Sequence, residues 1–243
     1  MDLETYRKNR IDRSLPTFQT PCRTCMQNSH WCYCDSVHPF DPGITFAILI
    51  HHLENRRRVA TGRMSHLALE GSHLILGHRY DDDPRVNALI DDPRFDPVVL
   101  FPSKDALPID ETESAELTKR FDRTKKRLLI FVVDGTWATA RKTVLRSENL
   151  RRLPRIRFPP RSPSRFRIRH QPKVECMSTI EAIHRAIDLL GPSQGFDVTT
   201  RNHDRLLEIF DRFVQRRIDH IEALVARTGT LHPRKKSGRH ARR

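Results

Sequence analysis

The stretch VVDGTWATARK, residues 132–142, brings an acid (Asp134), a glycine (Gly135), a hydroxyl (Thr136) and an indole (Trp137) together between an apolar run and a cationic one. The pattern reads as a strand running into a helix, and such turns are where α/β proteins hold small ligands. Asp134 can serve there as a general base, and Gly135 frees the backbone. Thr136 can hydrogen-bond a ligand, and Trp137 offers a face to a ring or a cation. Each has a plainer use: Asp134 can cap the adjoining helix, and Trp137 can belong to the core.

A second group is Cys22, Cys25, Cys32 and Cys34, spaced C-x2-C-x6-C-x-C. Four thiols so close together suit a tetrahedral zinc site that leaves no position for substrate, hence a structural one. The C-x-C half is tight, so His30 or His38 can stand in for Cys34. Four free thiols are the bland alternative, and no iron–sulfur spacing matches. Cys176 stands apart and reads as a small core residue.

The third group is cationic. Residues 141–169 hold ten arginines, one lysine and a single acid, Glu148. Arginine suits bidentate phosphate contact, and Phe158 and Phe166 are interleaved with the charges. Arg141, Lys142, Arg161, Arg165, Arg167 and Arg169 are therefore candidate RNA contacts. Pro154, Pro159, Pro160 and Pro163 are expected to hold much of this segment extended. The whole chain of 243 residues carries a net charge of +14, which favours polyanionic partners. Nothing reads as a helix-turn-helix or an RNA-recognition sheet, so a folded RNA bound by shape and phosphate fits better than duplex DNA.

These groups need a scaffold. Residues 43–52, 72–77, 96–103 and 127–135 read as buried strands, and residues 62–70 and 113–121 as helices. A helix over 177–191 is expected to stop at Gly191-Pro192, and a long one to follow from about Arg201. The alternation predicts an α/β fold with a mainly parallel sheet and flanking helices. The organisation expected is a zinc segment at 1–40, a catalytic domain at 41–228 and a basic, disordered tail at 229–243. No apolar run approaches the roughly 18 residues of a membrane span. The opening residues lack a signal-peptide core, so a cytoplasmic protein with reduced thiols is expected.

Taken in order, the blocks resemble the DTW-domain tRNA-uridine aminocarboxypropyltransferases. DGTW at 134–137 is similar to that family's D-x-T-W signature, and the cysteine leader resembles its zinc motif. HHLENRRRVATGR at 51–63 resembles its H-x-x-E-x-x-R-x-x-x-T-G-R block, and LFPS at 100–103 its L-[YF]-P-S turn. RFRIRHQP and MSTIEA resemble its R-[YF]-x-x-R-x-x-P and S-T-x-E-A pair. Phe166 departs from the tyrosine of many relatives.

The resemblance implies a SPOUT-like fold with a knotted C-terminal cofactor pocket, and S-adenosylmethionine as donor beside the structural zinc. It also implies transfer of a 3-amino-3-carboxypropyl group to N3 of a tRNA uridine, with release of 5′-methylthioadenosine. By the same resemblance Leu100, Phe101, Pro102, Ser103, Gly135, Trp137, Leu153, Pro154, Ser178, Thr179, Glu181 and Ala182 line the donor pocket, with Asp134, Thr136 and Trp137 catalytic. Glu181 can equally close a capping box with Ser178. His51, Glu54 and Arg57 can reach the cleft or form a surface ion-pair set. The rival readings are an RNA methyltransferase of this fold, a ribosomal-RNA aminocarboxypropyltransferase, and a zinc-containing RNA-binding protein without activity. The oligomeric state stays open, with a monomer favoured.

Overall fold

Among the described residues there are six strands: β1 Thr45–His51, β2 His73–Gly77, β3 Phe95–Leu100, β4 Leu107–Pro108, β5 Arg127–Asp134 and β6 Arg155–Arg157. The computed structural model describes residues 21–51, 61–160, 162–168 and 176–228. Glu54, Arg57, Arg161, Arg169 and the basic tail lie outside the described residues. The strands form one sheet in the order β2-β1-β5-β3-β6-β4, with every neighbouring pair parallel. Parallel neighbours need long crossovers. The chain supplies helices α1 Thr61–Ala68, α2 Pro84–Asp91, α3 Ser114–Arg120, α4 Trp137–Arg146, α5 Glu148–Arg152, α6 Thr179–Leu190 and α7 Arg205–Thr228.

Strand alternation divides the core in two. Phe46, Ile48, Ile50, Leu128, Ile130 and Val132 share one cluster with Met64 of α1, Ile180, Ile183 and Ile187 of α6, and Phe210 and Phe213 of α7. Ala47, Leu49, Leu129 and Phe131 share the other with Val86 and Leu89 of α2, Val144 of α4 and Leu150 of α5. The sheet is thus covered on both faces, which is why β1 and β5 read as unbroken apolar runs. β5 is laid last between β1 and β3, so its carboxyl end stands at the centre of the sheet.

The cationic segment is not the extended stretch its prolines suggested. It folds as α4, α5 and the short strand β6 before it reaches Pro159. Pro154 fits because it precedes β6 and needs only its carbonyl, which accepts from Val99 N at 2.9 Å. Cys176 is half-buried and joins neither core cluster.

Where α6 meets the start of α7, two buried imidazoles stack with ring centres 4.6 Å apart. His184 Nε2 lies 2.7 Å from Asp204, His203 Nε2 lies 2.8 Å from Asp188, and Arg201 donates to both acids. Burial alone would raise Asp188, but the His203 hydrogen bond and the charges of His184, His203 and Arg201 hold it at about 2. Burial, with the His203 ring, lowers His184 against the pull of Asp204 and Asp188. For both groups the unfolded chain binds the proton more readily, so acid favours unfolding. Stability should fall as pH drops below about 6.5 through His184, and again from about 3.9 toward 2 through Asp188. Urea midpoints measured against pH test this. Asp188→Asn should shrink the lower step and, by removing part of the upward pull on His184, deepen the upper one.

Candidate active site

The parity of β5 decides where Asp134 points. Leu128, Ile130 and Val132 pack on the face of α1 and α6, and Asp134 is the next residue of that parity. Its carboxylate meets the first turns of both helices. Thr179 Oγ1 donates to Oδ1 at 2.5 Å, and Gly62 N donates to Oδ2 at 3.2 Å. Asp134 is 6% exposed. A Cβ on residue 62 would stand 2.8 Å from the Asp134 Cγ, so only glycine lets the first turn of α1 approach this closely. Positive helix ends and two donors make a good seat for an anion.

Asp134 does not cap the helix that follows it. That role belongs to Thr136, whose Oγ1 accepts from Thr139 N at 3.2 Å and lies 2.5 Å from the Thr139 hydroxyl. Nor is Trp137 core: the first residue of α4 is 52% exposed, its ring stacked on Phe101 at 5.7 Å and 8° between planes. Phe101 follows β3 directly and is held by its N–H to the Ile156 carbonyl at 3.1 Å. Pro102 and Ser103 carry the chain away from the strand, and Ser103 O accepts from Ala106 N at 3.2 Å. Leu153 packs in the same cluster as Phe101 and Val133.

The carboxyl ends of β3 and β5 therefore present two groups. One is the buried Asp134 with Thr179 and Gly62, and the other is the stacked pair Trp137–Phe101, with Leu153 packed on the same cluster as Phe101. Gly62 is the member the sequence reading missed as a site residue, although it stood inside a quoted block at a helix start. Ser178 begins α6, and its carbonyl accepts from Ala182 N at 3.0 Å. Glu181 closes the capping box: its Oε2 accepts from Ser178 N at 2.8 Å and from Ser178 Oγ at 2.6 Å. It also accepts from Ser164 Oγ at 2.6 Å and Arg165 N at 2.7 Å, tying the loop 164–165 to α6. His51 ends β1 with its ring 6.4 Å from that of His78.

The cationic candidates separate. Arg165 pairs with Asp211 at 2.6 Å and Arg167 donates to Gln215 at 2.9 Å, both on α7. An open cleft of about 560 Å³ lies between these arginines and α7 and includes none of the residues around Asp134. Phe166 is buried between them with its ring edge-on to Phe210 at 5.2 Å, which accounts for an apolar ring at that position. Arg141 and Lys142 stand exposed on α4.

The four cysteines converge. Their sulfurs lie within 4.8 Å of one another, with Cys22–Cys34 and Cys25–Cys32 each at 3.7 Å. Four thiolates at the usual Zn–S length of about 2.3 Å stand about 3.8 Å apart in a tetrahedron, so the donor set fits zinc. No disulfide ties any of them. Cys34 completes the cluster, while the alternative ligand His30 instead packs its ring against Trp31 and His220. Cys25, Trp31 and Tyr33 belong to the main core. The Arg217 guanidinium lies 3.8 Å over Trp31, and Arg216 donates to the carbonyls of Cys32 and His30, so the module is seated on α7.

The DTW domain model matches residues 19–218, from the cysteine leader through most of α7. The chain is 26% identical over 189 residues to tRNA-uridine aminocarboxypropyltransferase 2 of Drosophila melanogaster, covering 74% of this chain and 70% of that protein. No solved structure matches it. Among the described residues no helix is long and apolar enough to cross a membrane.

Proposed function

The chain belongs to the DTW-domain family, and from that membership we propose that it is a tRNA-uridine aminocarboxypropyltransferase. The reaction proposed moves the 3-amino-3-carboxypropyl group of S-adenosylmethionine to N3 of a tRNA uridine and releases 5′-methylthioadenosine. The observation that carries the reading is the buried Asp134 at the end of the central strand, three residues before the exposed Trp137 that stacks on Phe101.

Bound S-adenosylmethionine supplies an electrophilic methylene next to its sulfonium. Uracil N3 attacks only as its proton leaves, and Asp134 takes that proton on a carboxylate oxygen, help worth roughly 10²–10⁴-fold. Thr179 and Gly62 hold the carboxylate in one orientation, so little rearrangement is needed when the base arrives. Trp137 provides the face for adenine, the extruded uracil or the sulfonium. The donor would lie against Leu100, Phe101, Pro102, Ser103 and Gly135, with Leu153, Pro154 and the start of α6 closing the pocket. Thr136, as the cap of α4, keeps the indole at its station. Zinc in the four-cysteine cluster would be structural, since no ligand position is left open.

Incubation with unmodified tRNA and S-adenosylmethionine tests the proposal. The digested RNA should gain the 3-amino-3-carboxypropyl mass, with 5′-methylthioadenosine accumulating. Accumulation of S-adenosylhomocysteine would mark a methyltransferase instead. Transfer to ribosomal RNA alone would move the activity to that substrate.

A further inference from the structure

Beyond the Trp137–Phe101 stack, the cations on the outward face of α4 make no ion pair with any of the described residues. At about 100° per residue, Trp137, Ala138, Arg141, Lys142, Leu145 and Arg146 fall on one half of the helix, and all six are exposed. Thr143 and Val144 on the opposite half are buried. The helix WATARKTVLR contains no acid. Among the described residues Arg141, Lys142 and Arg146 make no ion pair, although like charges at i and i+4 repel.

Several other described cations of the segment have acidic partners. Arg152 pairs with Glu148 at 2.5 Å, Arg155 with Asp105 at 2.9 Å and Arg165 with Asp211 at 2.6 Å. No ion pair among the described residues thus accounts for the three α4 cations. Leu145 at 48% and Trp137 at 52% exposure interrupt them with large apolar surface. Aromatic and apolar contact mixed with unpaired cations on one strip is the make-up of a single-strand nucleic-acid track.

We propose that this face of α4 is the surface along which the substrate RNA strand enters. Arg141, Lys142 and Arg146 contact its phosphates, and the Trp137–Phe101 stack receives a base at the end of the track. The proposal rests on the function assigned above for the identity of the RNA. Continuity with the site favours RNA over an acidic protein, because the strip begins at Trp137, three residues from Asp134. A helix rises 1.5 Å per residue, so Arg141 and Arg146 lie about 6 and about 14 Å along the axis from the platform.

The test uses the full chain and an unmodified tRNA transcript, with affinity measured across a salt series. Combined Arg141→Gln, Lys142→Gln and Arg146→Gln should weaken binding at least about tenfold and make the salt slope shallower by about 2, at roughly 0.7–0.9 per phosphate contact. Arg151→Gln with Arg152→Gln, whose partners lie within the protein, should change the slope by much less. Arg141→Lys with Arg146→Lys should keep it. The thermal midpoint should not move, and if the triple variant fails to fold, Lys142→Gln alone should remove about one third of the slope change.

An unchanged slope overturns the proposal. So does a wild-type chain that does not bind tRNA, or an equal loss in the Arg151/Arg152 variant. If the slope falls as expected but the wild-type chain transfers no group, the track stands and the assigned reaction fails. If the wild-type chain transfers the group and the triple variant does so with unchanged kcat/KM, the reaction stands and the track fails.

Discussion

Asp134→Asn is expected to lower kcat for group transfer by roughly 10²–10⁴-fold while the chain stays folded. Asparagine keeps the shape of the side chain. Its oxygen can still accept from Gly62 N, and the Thr179 hydroxyl, which can rotate, turns to accept from the new amide. The stability cost should then be about 1–2 kcal/mol, a modest loss for a buried hydrogen-bonded group. What the variant cannot do is take a proton from uracil N3. Asp134→Ala is a poorer test, because it leaves Thr179 and Gly62 without an acceptor and mixes unfolding with lost chemistry. Thr179→Val makes the useful comparison: it retains the base but loosens its orientation, so the rate should fall less than in Asp134→Asn. Rate at saturating tRNA and thermal midpoint should be read together. A wild-type rate in the asparagine variant would restrict Asp134 to anchoring α1 and α6.

The other large effect is expected at the cysteine cluster. Wild-type protein should carry about one zinc per chain, and Cys25→Ala should carry none. Zinc binding by small finger peptides is worth about 10–16 kcal/mol, an upper limit here because the module shares its core with the sheet. Losing the metal should release Trp31 from beneath Arg217 and free the carbonyls that Arg216 holds. A lowered thermal midpoint and a red-shifted tryptophan emission should follow together. Activity should fall with them, because α7 also carries the partners of Arg165 and Arg167. Retention of metal and midpoint in Cys25→Ala would dismiss the structural zinc site.

The pattern of the chain alone carried the parallel sheet, the four-cysteine cluster, α6 with its Ser178–Glu181 box, and the strand-to-helix turn at 134–137. Those features are local: apolar runs, ligand spacing and capping chemistry act over a few residues. Helix α2 went unread although Asp83 caps it and Pro84 opens it, a local start signal within an acidic stretch. Strand β6 was not legible, because a three-residue strand with only Ile156 buried has no period to read.

Composition also predicted a polyanion-seeking protein without telling which cations are paired. The fold decides that, and the partners of Arg155 and Arg165 stand 50 and 46 residues away in sequence. The meeting of Asp134 with Gly62 and Thr179 spans 72 and 45 residues. Only the insertion of β5 between β1 and β3 and the docking of α1 and α6 on one face create it. Short-range preferences wrote the elements, whereas the position of a buried charge depended on which distant helix ends the packed sheet brought to it.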